Sequence, residues 1–460
     1  MIIKILHTND LHSNFHNFFK IANKIKKLKD ENTLVLDAGD FADFKSIELQ
    51  GTDGLAAVEL LESAEYDAIT VGNNETFNGV DILENMASNS KIPFLSCNIN
   101  KLDGSVIEGV KKSIIIAKAN KRFLILGGSP DLDPFNELNG IKLVEYRKAL
   151  REELECNKGS YDYCILLSHF GMTSDNIIAG EFQEINIIIG GHSHILMKEP
   201  TVIQNTLIHT SGCYGEYLGY LEIELEDSDV RLISGQNIKT EKKDENLFQL
   251  EEVLRRNKIK AVERLSKPLY KIKENLWHDI IEENPISNLL ADAIRDFYKA
   301  DLGIINSGVL NGGVKKGTVS KKKLLDICPS PLNPTCLEIQ GKDIMESLQK
   351  SLDSEVCLSA GIGPGFRGKY LGRLHVSNAV IEHDGNNILK VLISGKNLEE
   401  SKWYTVATSD YLHRGTGYTN LKNNRNEKYH EDYLRDTLRR YLDKEEFVKK
   451  SLVERWIFKD

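Results

Sequence analysis

Ile185 to His194 reads INIIIGGHSH. A short apolar run closed by two glycines predicts a buried strand that ends in a tight loop. His192 and His194 then stand at a strand's C-terminal end, where sheets of the α/β or sandwich type gather ligands. Four other stretches repeat the arrangement. IIKIL leads into HTNDLH, with Asp10 and His12; TLVLDA leads into GD, with Asp40; DAITV leads into GNNE, with Asn73; YCILLS leads into His169. Singly these features are commonplace: Asp-x-His is usually a turn or cap, Gly-Asn a turn, and a strand-end histidine a hydrogen-bonded one. Five in succession, each with an oxygen or nitrogen donor, point to a metal centre. Asp10, His12, Asp40, Asn73, His169, His192 and His194 are expected on one rim.

The residue types carry the chemistry. Mixed imidazole and carboxylate ligation suits Mn, Zn, Fe or Co better than Ca or Mg. Two such ions about 3.5–4 Å apart can activate water and clamp a phosphoryl group during in-line displacement. A carboxylate shared between them suits two like charges held that close.

In order and residue type these stretches resemble the calcineurin-like metallophosphoesterases, whose motifs run DxH, GD, GNH(E/D), H and GHxH. The resemblance implies an α/β first domain over residues 1–236, a four-layer αββα sandwich. It implies two divalent metal ions, one held by Asp10, His12 and His194, the other by Asn73, His169 and His192, with Asp40 as the bridge. One position departs. GNNE at Gly72–Glu75 places Asn74 where the family has a histidine that stabilises the transition state or protonates the leaving oxygen. The acid that orients this histidine is replaced by Phe77. Loss of a general acid costs ~10²–10⁴ in rate. Asn74 can donate a hydrogen bond to a phosphoryl oxygen but cannot deliver a proton at neutral pH. The chain is therefore read as favouring good leaving groups, as using another acid, or as binding without turnover.

The whole chain sets bounds. At 460 residues it holds two or three domains. A hydrophobic fraction of 41% and a charged fraction of 28% are those of a soluble globular protein. A net charge of −9 argues against a nucleic-acid-binding surface. The start MIIKILHTND has no signal-peptide pattern, and no apolar stretch reaches the ~18 residues of a membrane span. Seven scattered cysteines without a CxxC suit reduced thiols in a cytosol. A cytoplasmic protein without nucleic-acid or membrane partners is expected.

Downstream, the charged run EKKDE at Glu241–Glu245 marks a surface boundary. Leu247, Leu250, Leu254, Ala261 and Leu265 then fall near one helical face, and a linker helix is expected over 237–265. A second domain is expected over 266–460. It contains ENPISNLLADAIRDF (283–297), INSGVLNGG (305–313) and YTVATSDYLHRGTGY (404–418). The first is a helix opened by proline; the others are strand ends running into glycine-containing loops. Together they resemble the C-terminal domain of the 5′-nucleotidase family, which includes UDP-sugar hydrolases and cyclic-nucleotide phosphodiesterases.

That resemblance implies a second α/β domain that selects a small-molecule nucleotide or related phosphoester, closing on it about the linker. The implied substrate contacts include Asn306. The arginine of the family's NGGGIR is Asn311 here, QVSG reads HVSN at His375–Asn378, and a base-stacking aromatic is replaced by Arg373. Arg373 and Tyr418 could still sandwich a flat base, since guanidinium stacks on planar rings. Arg367 is a source of the missing positive charge, and His413 a candidate for the missing acid. The function so read is metal-dependent phosphohydrolysis by a metal-bound hydroxide. The alternative is a nucleotide-binding or sensing protein, and a DNA repair nuclease is a weaker third.

Overall fold

A computed structural model describes residues 1–226 and 229–460. The chain divides into two compact units, Met1–Val262 and Glu263–Asp460.

The first unit is built on two sheets. One has the spatial order Asp229–Lys239, Tyr217–Glu226, Ile2–Thr8, Thr33–Asp37, Ala68–Thr70, Phe94–Leu95, Val110–Lys111. The other runs Thr201–Ile203, Thr206–His209, Ile187–Gly190, Tyr163–Ser168, Lys121–Gly128, Ser113–Lys118. Ile2–Thr8, Thr33–Asp37 and Ala68–Thr70 are parallel, as are Tyr163–Ser168 and Ile187–Gly190. The C-terminal ends that carry the donors therefore share an edge within each sheet.

Each of these strands is covered on both faces, which is why it reads as an unbroken apolar run. Alternation survives as a choice between cores. Leu34 and Leu36 face the core shared by the sheets, while Val35 faces an outer core with helices Phe15–Leu28, Leu55–Ser63 and Val80–Ser88. In the other sheet Ile187 and Ile189 face the shared core. Ile188 faces the layer that holds helices Tyr146–Cys156 and Met172–Glu181. The result is a helix–sheet–sheet–helix stack.

The second unit is also mixed α/β. Its five-stranded sheet runs Leu374–Ser377, Leu302–Asn306, Trp403–Ser409, Pro334–Gln340, Asn424–Tyr429; a four-stranded sheet joins Ala379–His383 to Trp456–Phe458. Helix Pro285–Tyr298 begins where the proline predicts. The Asn284 side chain caps it, accepting the Ser287 N–H at 3.2 Å.

The linker differs from expectation. Residues 237–239 finish the strand Asp229–Lys239, and helix begins only at Phe248, ending at Leu265. The charged run that suggested the boundary lies between these two elements. The helix buries Leu250 and Ala261 completely. Among the described residues, no helix is long and apolar enough to cross a membrane, and all seven cysteines are unpaired.

Ala261 packs directly on Gly51, where any added Cβ would overlap the Ala261 Cβ and crowd its Cα. Gly51→Ala is therefore expected to destabilise the first unit by about 1–3 kcal/mol through overpacking. Urea unfolding should show a lower midpoint with an unchanged slope.

Candidate metal centre

The donors follow their strands by only a few residues, so the loops that hold them turn sharply. Asp10, His12, Asp40, His192 and His194 all have positive φ, from 49 to 68°. Such left-handed backbone is uncommon outside glycine and clusters at functional sites, where surrounding structure imposes it. Here that structure is a lattice of backbone bonds. Asp10 N–H donates to Gly39 O at 2.9 Å, His12 N–H to Asp40 O at 2.8 Å, and Gly191 N–H to Ser168 O at 2.8 Å.

The glycines in the motifs allow close approach. A Cβ on Gly72 would overlap Asp40 Oδ1. One on Gly191 would lie 2.7 Å from Ala38 O and 2.8 Å from His169 Nδ1. The loops can converge only because these positions lack side chains.

Two groups of side chains meet at this point. Asp10, His12 and His194 present ligand atoms within 4.8 Å of one another, and so do Asp10, Asp40 and His169. His194 Nε2 lies 3.4 Å from Asp10 Oδ1 and 3.0 Å from His12 Nε2. His169 Nε2 lies 3.4 Å from Asp40 Oδ1 and 3.8 Å from Asp10 Oδ1. Asn73 Oδ1 and His192 Nδ1 are 3.0 Å apart. His192 N–H donates to Asp10 Oδ2 at 3.0 Å, and with that bond all seven residues named from sequence are joined.

The electrostatics fit cations. Asp10, Asp40 and His169 are almost wholly enclosed, and buried carboxylates require positive charge nearby. His169 Nδ1 bonds Ala38 O at 2.6 Å, so Nε2 faces the two carboxylates, with no hydrogen bond of normal geometry. Burial opposes charging of His169, but Asp40 and then Asp10 outweigh it and push its pKa up to about 10. Hydrogen bonds to Asp10 and Cys213 push His194 up to about 10 as well. Burial also opposes ionisation of Asp40, yet His169 and His12 hold it well below the carboxylate range. His169 and His194 thus hold protons where a cation's charge would serve the same carboxylates. Two carboxylates, four imidazoles and an amide oxygen match borderline divalent ions.

Asn74 is turned inward. Its side-chain amide donates to Asp40 Oδ2 at 2.5 Å and its backbone N–H to Asp40 Oδ1 at 2.8 Å. The residue singled out as a catalytic substitute holds the central carboxylate in place.

Sequence reasoning passed over Glu75, although it ends the GNNE stretch. Glu75 accepts from the N–H groups of Asp40 at 3.0 Å, Ala42 at 2.8 Å and Gly72 at 2.9 Å, which ties two donor loops together. Tyr214, which no motif marked, places its ring centroid 5.5 Å from that of His12 and 5.8 Å from that of His194.

The candidates in the second unit fare differently. Tyr418 is fully buried, with its hydroxyl donating to Gly372 O at 2.8 Å. It offers no exposed face to a base, because its ring belongs to the core. Asn306 is likewise buried and donates to Leu371 O at 2.5 Å. Both brace the backbone just before Arg373. Arg373 lies against Trp456, with its guanidinium carbon 4.2 Å from a ring centroid. Arg367 Nη1 donates to Phe366 O at 3.2 Å. His413 Nδ1 is 3.1 Å from the Tyr429 hydroxyl, and burial lowers its pKa.

Because a methyl on Gly72 would collide with Asp40, Gly72→Ala is expected to weaken Mn²⁺ binding by at least about tenfold, the scale of a disturbed ligand shell. Equilibrium dialysis with metal analysis checks this against the parent protein.

The comparisons agree with the geometry. Residues 3–196 match the calcineurin-like phosphoesterase model and residues 266–423 match the model of the 5′-nucleotidase C-terminal domain. An uncharacterized metallophosphoesterase of Bacillus subtilis, YunD, is 28% identical over 456 residues, covering 95% of this chain and 98% of that protein. Mouse 5′-nucleotidase is 27% identical over 276 residues, covering 49% of this chain and 46% of that one. The solved Haemophilus influenzae NAD nucleotidase shares the fold at a TM-score of 0.67 and 16% identity, covering 100% of this chain and 97% of that one. With both models matched in order along it, the chain carries a calcineurin-like phosphoesterase domain followed by a 5′-nucleotidase C-terminal domain.

Proposed function

We propose that this protein is a divalent-metal-dependent phosphohydrolase that acts on a nucleotide or related small phosphoester. The convergence of Asp10, His12, Asp40, Asn73, His169, His192 and His194 on one point of the first unit carries the reading. In it Asp10, His12 and His194 hold one ion, Asn73, His169 and His192 hold the other, and Asp40 serves both. Bound divalent ions supply Lewis acidity and an activated water.

The chain's own groups then set the substrate preference. Asp40 is oriented by Asn74, and Glu75 anchors the backbone around it. No histidine follows Asn73 to protonate a leaving oxygen. His413 is a poor replacement: burial lowers its pKa, so at neutral pH it is mostly uncharged. We therefore favour substrates whose leaving group departs without a proton, namely phosphodiesters and pyrophosphates. The first unit is read as the phosphoester domain and residues 266–460 as the substrate domain. The unpaired cysteines suit work in the cytosol.

The test is phosphate release with Mn²⁺ across AMP, ADP, UDP-glucose, NAD, a 2′,3′-cyclic nucleotide and paired aryl mono- and diesters. Turnover should require metal, vanish in Asp40→Asn, and favour the aryl diester over the monoester. Metal bound with no turnover of any substrate would instead favour nucleotide sensing.

Restoring the proton donor gives a second check. Asn74→His is expected to raise aryl monoester turnover by roughly tenfold or more, with a smaller effect on the diester, because a general acid contributes most where the leaving group is poor. Steady-state kinetics on the two esters reads the difference.

A further inference from the structure

The second unit contains a cavity of about 530 Å³, a size that accommodates small-molecule ligands. Its walls include Trp277, Arg373, His383, Trp456 and Phe458. Trp277 is 52% exposed and Phe458 59% exposed, which is unusual for large aromatic rings unless a partner covers them.

Arg373 gives the cavity its chemistry. Nη1 donates to Ile281 O at 3.2 Å, and one guanidinium face rests on Trp456. Nε and Nη2, the two parallel donors of the guanidinium's side edge, are buried without a hydrogen-bond partner. Trp456 Nε1 is a third such donor. Unmade bonds of this kind are costly, and a fork of this shape pairs with two adjacent acceptors. The fork is buried in the cavity wall, and pairing with a ligand requires it to turn outward. That turn gives up the Ile281 bond and part of the Trp456 contact.

Two adjacent acceptors occur on a carboxylate, on a phosphate, and on the O6/N7 edge of a 6-oxopurine. The neighbouring charges decide among them. Glu282, Glu283 and Glu454 also line the cavity. Glu283 is held as an acceptor by the N–H groups of Arg455 at 2.9 Å and Trp456 at 3.0 Å. This acidic surround disfavours an anion, while the aromatic walls suit a neutral flat ring.

We propose that this cavity binds the base of a 6-oxopurine nucleoside, with Arg373 pairing to O6 and N7 and Trp277 covering the ring. The inference deepens the proposed function and rests on it for the expectation that the ligand is the nucleoside part of a phosphoester. It places base recognition on the Trp456 side of Arg373, with no contribution from the buried ring of Tyr418.

The test uses chelator-treated full-length protein, so that phosphoester chemistry plays no part. Guanosine, inosine, adenosine and inorganic phosphate are titrated separately, with calorimetry and tryptophan fluorescence as readouts. Guanosine and inosine should saturate at least about tenfold tighter than adenosine, the discrimination expected of a bidentate arginine contact. Phosphate should not bind at this cavity. Trp277→Ala, a surface change, should weaken guanosine about tenfold and remove most of the fluorescence change. Arg373→Met should erase the difference between guanosine and adenosine. Equal affinities for guanosine and adenosine, no saturable nucleoside binding, or affinities unmoved by Trp277→Ala would each overturn the proposal. Oxopurine binding without phosphate release from any substrate would leave this inference standing and sink the phosphohydrolase reading. Phosphate release without base preference would do the reverse.

Discussion

Two carboxylates buried together, Asp10 and Asp40, are the constraint on which the rest of the first unit depends. Like charges enclosed at this distance from water require nearby positive charge. The imidazoles of His12, His169 and His194 stand within 4 Å of one or the other carboxylate. The surrounding architecture holds this arrangement. Two parallel strand sets deliver the donors, left-handed turns aim them, glycines let the loops touch, and Glu75 and Asn74 fix Asp40 from its backbone and side chain. A scaffold that maintains strained backbone at five donor positions favours one geometry over the flexibility of an ordinary loop.

The convergence of the donor side chains was legible in the sequence because each of its parts is local. A strand covered on both faces must be an apolar run, a loop that approaches another backbone must spare a side chain, and the donor comes next. INIIIGGHSH contains all of this within ten residues. Within each sheet, aligning the donor-bearing ends needed only the rule that parallel strands present their C-terminal ends together. Glu75 was quoted as part of a motif, but two of its three backbone contacts reach across to Asp40 and Ala42, and nothing in the local pattern announces them.

The second unit was legible as a fold more than as a site. The helix starting at Pro285 and the strand ends at Asn306 and Ser409 lie where hydrophobic pattern and turn residues place them. The roles of individual side chains are tertiary facts. Tyr418 follows a glycine-containing loop, as a ligand-stacking residue would, yet its ring packs in the core and its hydroxyl meets a backbone carbonyl. Arg373 looked like an isolated replacement until the structure set it on Trp456, 83 residues further on in sequence. The linker boundary failed for a related reason. The strand Asp229–Lys239 lies at a sheet edge and is half exposed, so it lacks the apolar run that marked the inner strands.

The central claim is that seven donors form one dinuclear centre, and diffraction at the Mn absorption edge from crystals loaded with Mn²⁺ tests it most directly. The account requires two anomalous peaks about 3.5–4 Å apart, one beside Asp10, His12 and His194, one beside Asn73, His169 and His192, with Asp40 between them. A single peak, or metal held elsewhere on the chain, would contradict it.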